Sequence, residues 1–249
     1  MPQSVASPNA SQWVALLEAR YRAAQTTQAT FLERYMESGR LLRVEAGQVY
    51  FRRPGKMRWE YAAPEKNLFL VDGKTAWFYV PDDHTVTRVP AKRSADWRTP
   101  LALLAGDMKL SRVCSRVEIA PHEAPLNPGD VVLACHLRGE RKTKTADASS
   151  REKQNESQHS AQGSSSGASQ DMSSRDASSQ DTSVFLEVAP DTGDLIRVLV
   201  IDKGGVNLEF RFANWQFNPV IAESAFEFHP PVGVAILNGE LPVQNETMK

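Results

Sequence analysis

The spacing of apolar residues changes along the chain. Trp13, Leu16, Leu17, Tyr21 and Ala24 recur at helical spacing and give one apolar face. Ser11 is a suitable N-cap, and Gly39 closes this first, helical section. From residue 40 the period becomes two. Segments rich in Val, Phe, Tyr and Trp alternate with the turn signals Pro54-Gly55, Ala63-Pro64, Asp72-Gly73 and Pro81-Asp82-Asp83. This pattern predicts an antiparallel meander rather than βαβ units. Pro100 followed by Leu101, Leu103 and Leu104 predicts a short helix that Gly106 ends. Further strands are expected at 109–119, 130–138, 184–189, 195–202 and 205–217. In the last, the apolar set Val206, Leu208, Phe210 and Phe212 shifts phase to Trp215 and Phe217. A change of phase by one residue implies a bulge or bend near Asn214, a device that a curving sheet needs.

Composition interrupts this picture once. Residues 138–183 contain no Val, Ile, Leu, Phe, Tyr or Trp beyond Leu137, so they lack the apolar surface to offset the entropy of ordering. Strand-like text resumes at Val184, which predicts a disordered Ser-rich insert in one hairpin loop. The expected organisation is a disordered segment 1–10, one domain over 11–237 interrupted by 138–183, and a tail 238–249. Hydrophobic residues at 41% and charged residues at 24% fit a globular chain. A net charge of -1 supplies no global field for nucleic acid. The sequence holds no run of about 18 apolar residues, the length that a membrane-spanning helix needs. The opening MPQSVASPNASQW has neither a basic nor an apolar leader region. Taken literally it points to the cytosol, and a trimmed leader or displaced start would leave the same text.

Enzyme signals are weak. Gly163 to Gly167 matches G-x-S-x-G, but inside the low-complexity insert and not on a strand–turn–helix elbow. Gly73-Lys74-Thr75 lacks the upstream glycine of a phosphate-binding loop and lies on a hairpin turn. The histidines at 84, 122, 136, 159 and 229 are scattered, with no ligand-spaced pair. No metal and no cofactor is expected.

Three segments carry a resemblance: GQVYFRRPGKMRWEY (47–61), VDGKTAWFYVP (71–81) and FEFHPPVGVAIL (226–237). With PLALLAGD at 100–107 between them, the chain resembles the outer-membrane lipoprotein carrier family, LolA, over roughly 11–137 and 184–237. The resemblance implies a mainly β (α+β) fold: a strongly curved, unclosed antiparallel β-barrel with short helices forming a lid over an apolar cavity. It implies a monomeric, non-catalytic periplasmic carrier. Acylated lipoproteins would be its cargo, received from an inner-membrane ATP-driven exporter and passed to an outer-membrane acceptor. Such a role fits simple physics, since each CH₂ exposed to water costs about 0.8 kcal/mol. Three other functions compete: an anchored acceptor, a glycolipid-binding or stress-sensing protein of the same curved-sheet class, and a hydrolase. An anchored acceptor needs a lipidated cysteine near its N-terminus, and no cysteine precedes Cys114.

Site residues follow. Met57, Trp59 and Tyr61 share one strand face, an ordinary core face by periodicity alone and a cavity wall by the resemblance. Leu68, Leu70, Trp77 and Tyr79 join that wall by the same argument. Leu101 and Leu104, three apart, would point from the lid helix into the mouth. Phe31 keeps the family's Phe-x-Gln position, where Glu33 replaces the amide. Arg53 matches the arginine before proline that the family uses as a latch on lid carbonyls, a task suited to five guanidinium donors. Cys114 and Cys135 flank the loop 121–129. A hairpin centred near 124–125 would set them roughly opposite, leaving a cross-strand disulfide and two buried thiols both open. Arg88, Lys92, Arg93 and Arg98 form a local basic patch suited to an acidic partner, lipid head groups or solvent.

Overall fold

The first section of the chain divides into two elements. Helix α1 (Ala10–Arg22) is capped by Asn9 rather than Ser11: the Asn9 side chain accepts the Gln12 backbone N–H at 3.2 Å. The helix stops well before Gly39, and Thr26–Glu37 forms the long strand β1. Its inward positions are Ala29, Phe31, Glu33 and Tyr35, so a buried glutamate interrupts the apolar alternation. Gln, Ala, Leu, Glu, Arg and Met elsewhere in β1 are good helix formers, which is why the segment reads as helical. Ser38 and Gly39, both at positive φ, then make the two-residue turn into β2 (Arg40–Arg52).

The computed structural model describes residues 9–91, 104–105, 109–138, 182–202 and 204–239, all in one compact unit. Leu101, Lys92, Arg93, Arg98 and the Gly163–Gly167 motif lie outside the described residues. The meander continues through β3 (Lys56–Ala63), β4 (Leu68–Val71), β5 (Thr75–Val80) and β6 (Thr85–Pro90). The expected strand at 109–119 begins instead as a single helical turn, α2 (Leu110–Val113), before β7 (Cys114–Ile119). Then come β8 (Val131–Leu137), β9 (Ser183–Val188), β10 (Leu195–Ile201) and β11 (Val206–Phe217). A short 3-10 turn at Glu223–Phe226 leads to β12 (Ala235–Asn238).

These strands make one sheet in the order β12-β6-β5-β4-β3-β2-β1-β11-β10-β9-β8-β7, unclosed because its end strands β12 and β7 do not pair. Neighbours are antiparallel except β12, which runs parallel to β6. Adjacent strands β8 and β9 are hairpin partners, so residues 138–182 connect neighbours in the sheet. At the phase shift in β11, Gln28 pairs with Gln216 and Thr30 with Ala213. Asn214 and Trp215 therefore oppose Ala29 alone, with Asn214 in the left-handed region at φ 57°. That is a β-bulge, and it bends the strand where the sheet curves.

Candidate functional site

Register fixes which side chains share the face beneath α1. One cross-strand row runs Phe217, Thr27, Phe51, Met57, Val71. The next runs Ala29, Val49, Trp59, Phe69, Phe78. A third holds Phe212, Phe31, Gly47 and Tyr61. Helix α1 adds Leu17 and Tyr21, and the chain at 104–105 adds Leu104, to one continuous apolar cluster. Trp59 is its centre: Phe31, Phe210, Phe51 and Phe212 surround it at ring-centroid distances of 4.8, 5.5, 6.0 and 6.1 Å. Edge-to-face pairs of this kind add about 0.5–1.5 kcal/mol beyond their buried area.

Gly47 makes this packing reachable. A Cβ there would lie 1.9 Å from the Glu60 carbonyl oxygen and 3.0 Å from the Phe31 ring. The bare glycine lets the ring settle over the β2 backbone beside Tyr61, 5.1 Å between centroids. Two polar features interrupt the apolar wall. The Tyr61 hydroxyl donates to the buried Glu33 carboxylate at 2.8 Å. The Trp59 indole N–H and the Thr27 hydroxyl are buried without a hydrogen-bond partner.

Helix α1 is held over this face at several points. The Leu195 N–H donates to the Tyr21 hydroxyl at 2.9 Å, and burial pushes that phenol well above its ordinary pKa. Arg20 bonds Asp194 at 2.8 Å and lies over the Phe217 ring, 3.7 Å from its centroid. Glu18 accepts the Leu110 N–H of α2 at 2.9 Å. The Arg53 guanidinium donates to the carbonyl of Arg22, at the C-terminal end of α1, where helix carbonyls lack partners.

The structure separates the expected cavity residues into two groups. Phe31, Met57, Trp59, Tyr61 and Leu104 belong to the cluster beneath α1. Leu68, Leu70, Trp77 and Tyr79 do not. Leu70 pairs with Arg58 and Trp77, and Leu68 with Tyr79, one residue out of phase with Trp59, Phe69 and Phe78. They face the other side of the sheet, where Phe228 packs on Trp77 and Tyr79 at 5.6 and 5.7 Å. β4 and β5 are apolar on both faces, so alternation could not choose between them. Phe51, Phe212 and Trp215 are wall residues that the sequence reading missed, although the alternation Val49, Phe51 along β2 was the available signal.

Cys114 and Cys135 are joined by a disulfide. They are not direct opposites: Cys114 pairs with Leu137 and Val117 with Cys135, with the register shift falling at Ser115. Nearby, a cleft of about 360 Å³ is lined by Ile119, His122, Ala134 and Phe185 among others. On its rim His136 and Glu118 meet at 2.7 Å, and the bond to His136, helped by Arg116, holds the Glu118 carboxyl below its ordinary range. Among the described residues no three His, Cys, Asp or Glu side chains gather as metal ligands, and no helix is long and apolar enough to cross a membrane. Arg88 of the basic patch donates to the Asn238 side chain at 2.6 Å.

Comparison with known proteins adds context to this geometry. Residues 22–124 match the family described as outer membrane lipoprotein carrier protein LolA. The chain is similar to an outer-membrane lipoprotein carrier protein of Chromobacterium violaceum, 39% identical over 109 residues, covering 43% of this chain and 52% of that one. A protein of the same name from Xanthomonas axonopodis pv. citri is 26% identical over 200 residues, covering 80% and 75%. The chain spans about half the length of the first curated relatives it matches. Among solved structures, an uncharacterized conserved protein of Thermus thermophilus shares the fold, with a TM-score of 0.50, 13% identity, and coverage of 92% and 99%.

Proposed function

From the match of residues 22–124 to the family described as outer membrane lipoprotein carrier protein LolA, we propose that this protein is a periplasmic carrier of that family. It binds the acyl chains of lipoproteins between α1 and the aromatic face of the sheet. The observation that carries this reading is the continuous apolar wall around Trp59, roofed by a separate helix that polar contacts hold in place. Such a wall needs no nucleophile or metal to do its work: sequestering CH₂ groups at about 0.8 kcal/mol each is enough to draw lipid from water. The cavity residues are Phe31, Met57, Trp59, Tyr61 and Leu104. The cysteine bridge suits an oxidising compartment. The carrier acts as a monomer, taking cargo from an ATP-driven inner-membrane exporter and yielding it to an outer-membrane acceptor.

Arg53 is the latch in this reading, since it clips the roof helix through the Arg22 carbonyl. The test is uptake and hand-over of an acylated lipoprotein, followed by co-purification. Wild-type protein should take up cargo from exporter-bearing vesicles and release it to acceptor-bearing ones. Arg53→Leu should still bind cargo but release it poorly, because nothing drives the roof closed behind the departing chain. No uptake by the wild type would remove the carrier reading, and normal release by Arg53→Leu would remove the latch.

A further inference from the structure

The wall around Trp59 is interrupted by the Tyr61–Glu33 pair and by two polar groups of a different kind. The Trp59 indole N–H and the Thr27 hydroxyl are buried on the same face, one on β3 and one on β1, in adjacent cross-strand rows. Trp59 is 2% exposed and Thr27 3%. Neither Nε1 nor Oγ1 has a hydrogen-bond partner among the described residues. A buried polar group left unmade is costly and uncommon, and two of them on one face, one row and two strands apart, fit a face completed by something else.

We propose that these two groups are a binding subsite for the ester carbonyl of an acylated ligand. This rests on the carrier reading above and makes it specific, since alkyl chains alone give Trp59 and Thr27 nothing to bond. An ester suits them because it brings acceptor oxygens and no donor of its own. An amide would carry an N–H onto the same face. A free carboxylate would bring a charge, which an apolar surface penalises far more heavily. The subsite fixes how deep a chain sits: the carbonyl stops at the Trp59 row, and the methylene tail lies along Phe31 and Phe212 in the row beyond.

The experiment compares a short-chain diacylglycerol with its dialkyl-ether analogue of equal chain length. Binding to the full chain is followed by tryptophan fluorescence and calorimetry. The two ligands differ only in the carbonyls. Wild-type protein should prefer the ester by about fivefold to tenfold, the worth of one net hydrogen bond or slightly more. Trp59→Phe and Thr27→Val should each narrow that ratio, and the double variant should bring it to one, whatever its absolute affinity for either ligand. Equal affinity of the wild type for both ligands overturns the subsite and leaves the carrier standing. A preference that survives in the double variant also overturns it. Binding of neither ligand overturns the subsite together with the reading on which it rests.

Discussion

The two faces of this sheet solve burial in opposite ways. Under α1 the inward rows are aromatic and aliphatic, and they form one continuous cluster. On the other face, strands β9 to β11 bury an ion network. The Arg197 guanidinium bonds Glu187 at 2.8 Å and Glu123 at 3.0 Å, and donates to the Ala124 carbonyl at 2.8 Å. Glu209, 3.6 Å from Arg197, is also bonded by Arg34 at 2.7 Å and Arg211 at 3.1 Å. Glu187 in turn accepts the Leu126 N–H at 2.6 Å, which fastens the β7–β8 loop across that face. Such charges are held in one arrangement, because separating them inside the protein is expensive. The aromatic face holds one such group, the Glu33 carboxylate bonded by Tyr61, and its remaining contacts carry no comparable penalty for moving apart. A face whose contacts are non-directional can exchange protein for lipid, whereas a face of matched charges cannot.

That contrast predicts different kinds of damage. Arg197→Ala should have the largest effect on stability, about 3–5 kcal/mol, because it strands the buried Glu187 carboxylate. Urea unfolding measures it. Cargo uptake per folded molecule should stay unchanged, since no part of the network touches the aromatic rows. Reduced uptake at full folding would mean that the two faces are coupled.

Gly47→Ala should cost less, about 1–3 kcal/mol for overpacking, and it should damage function as well. The new methyl meets the Glu60 backbone carbonyl, which cannot swing aside as a side chain would. β2 must move from β3, and the Phe31 ring must leave its place over the backbone. Lipid uptake at temperatures where the variant remains folded should therefore fall. Intact uptake would show that the third row, Phe31 and Tyr61, does not contact cargo.

How much of this is legible from residues follows from the same contrast. The wall residues Met57, Trp59 and Tyr61 alternate cleanly with Arg58 and Glu60, so their shared face can be read directly. The bulge at Asn214 announces itself as a phase error in an otherwise regular strand. β1 is hidden because Glu33, an inward residue paired with Tyr61, looks like a surface residue in text. Leu68, Leu70, Trp77 and Tyr79 read as wall residues yet occupy the opposite face, because the Phe226–Phe228 segment, distant in sequence, covers that side. The ion network is invisible for a similar reason. Glu187, Arg197 and Glu209 stand at positions that alternation assigns to solvent, and only the long-range packing of strands and loop buries them.

The smallest expected effect separates the two glutamates that flank Arg197. Burial raises the pKa of Glu187, and its bonds from Leu126 and Arg197 do not overcome that. Burial also opposes ionisation of Glu209, but the hydrogen bonds from Arg34 and Arg211 outweigh it, so that carboxyl is held below the ordinary glutamate value. The signs then differ. A depressed pKa contributes stability above the unfolded value that is lost as pH falls through the folded one. A raised pKa works the other way: the folded state takes up its proton first, and falling pH favours it across that interval. Glu209→Gln should therefore flatten the acid loss of stability below the ordinary glutamate value, and Glu187→Gln should remove the gain that falling pH brings above it. Denaturant midpoints measured across the acid range decide the matter. Parallel curves for the two variants would mean that Arg197 is shared equally and the asymmetry between its neighbours does not exist.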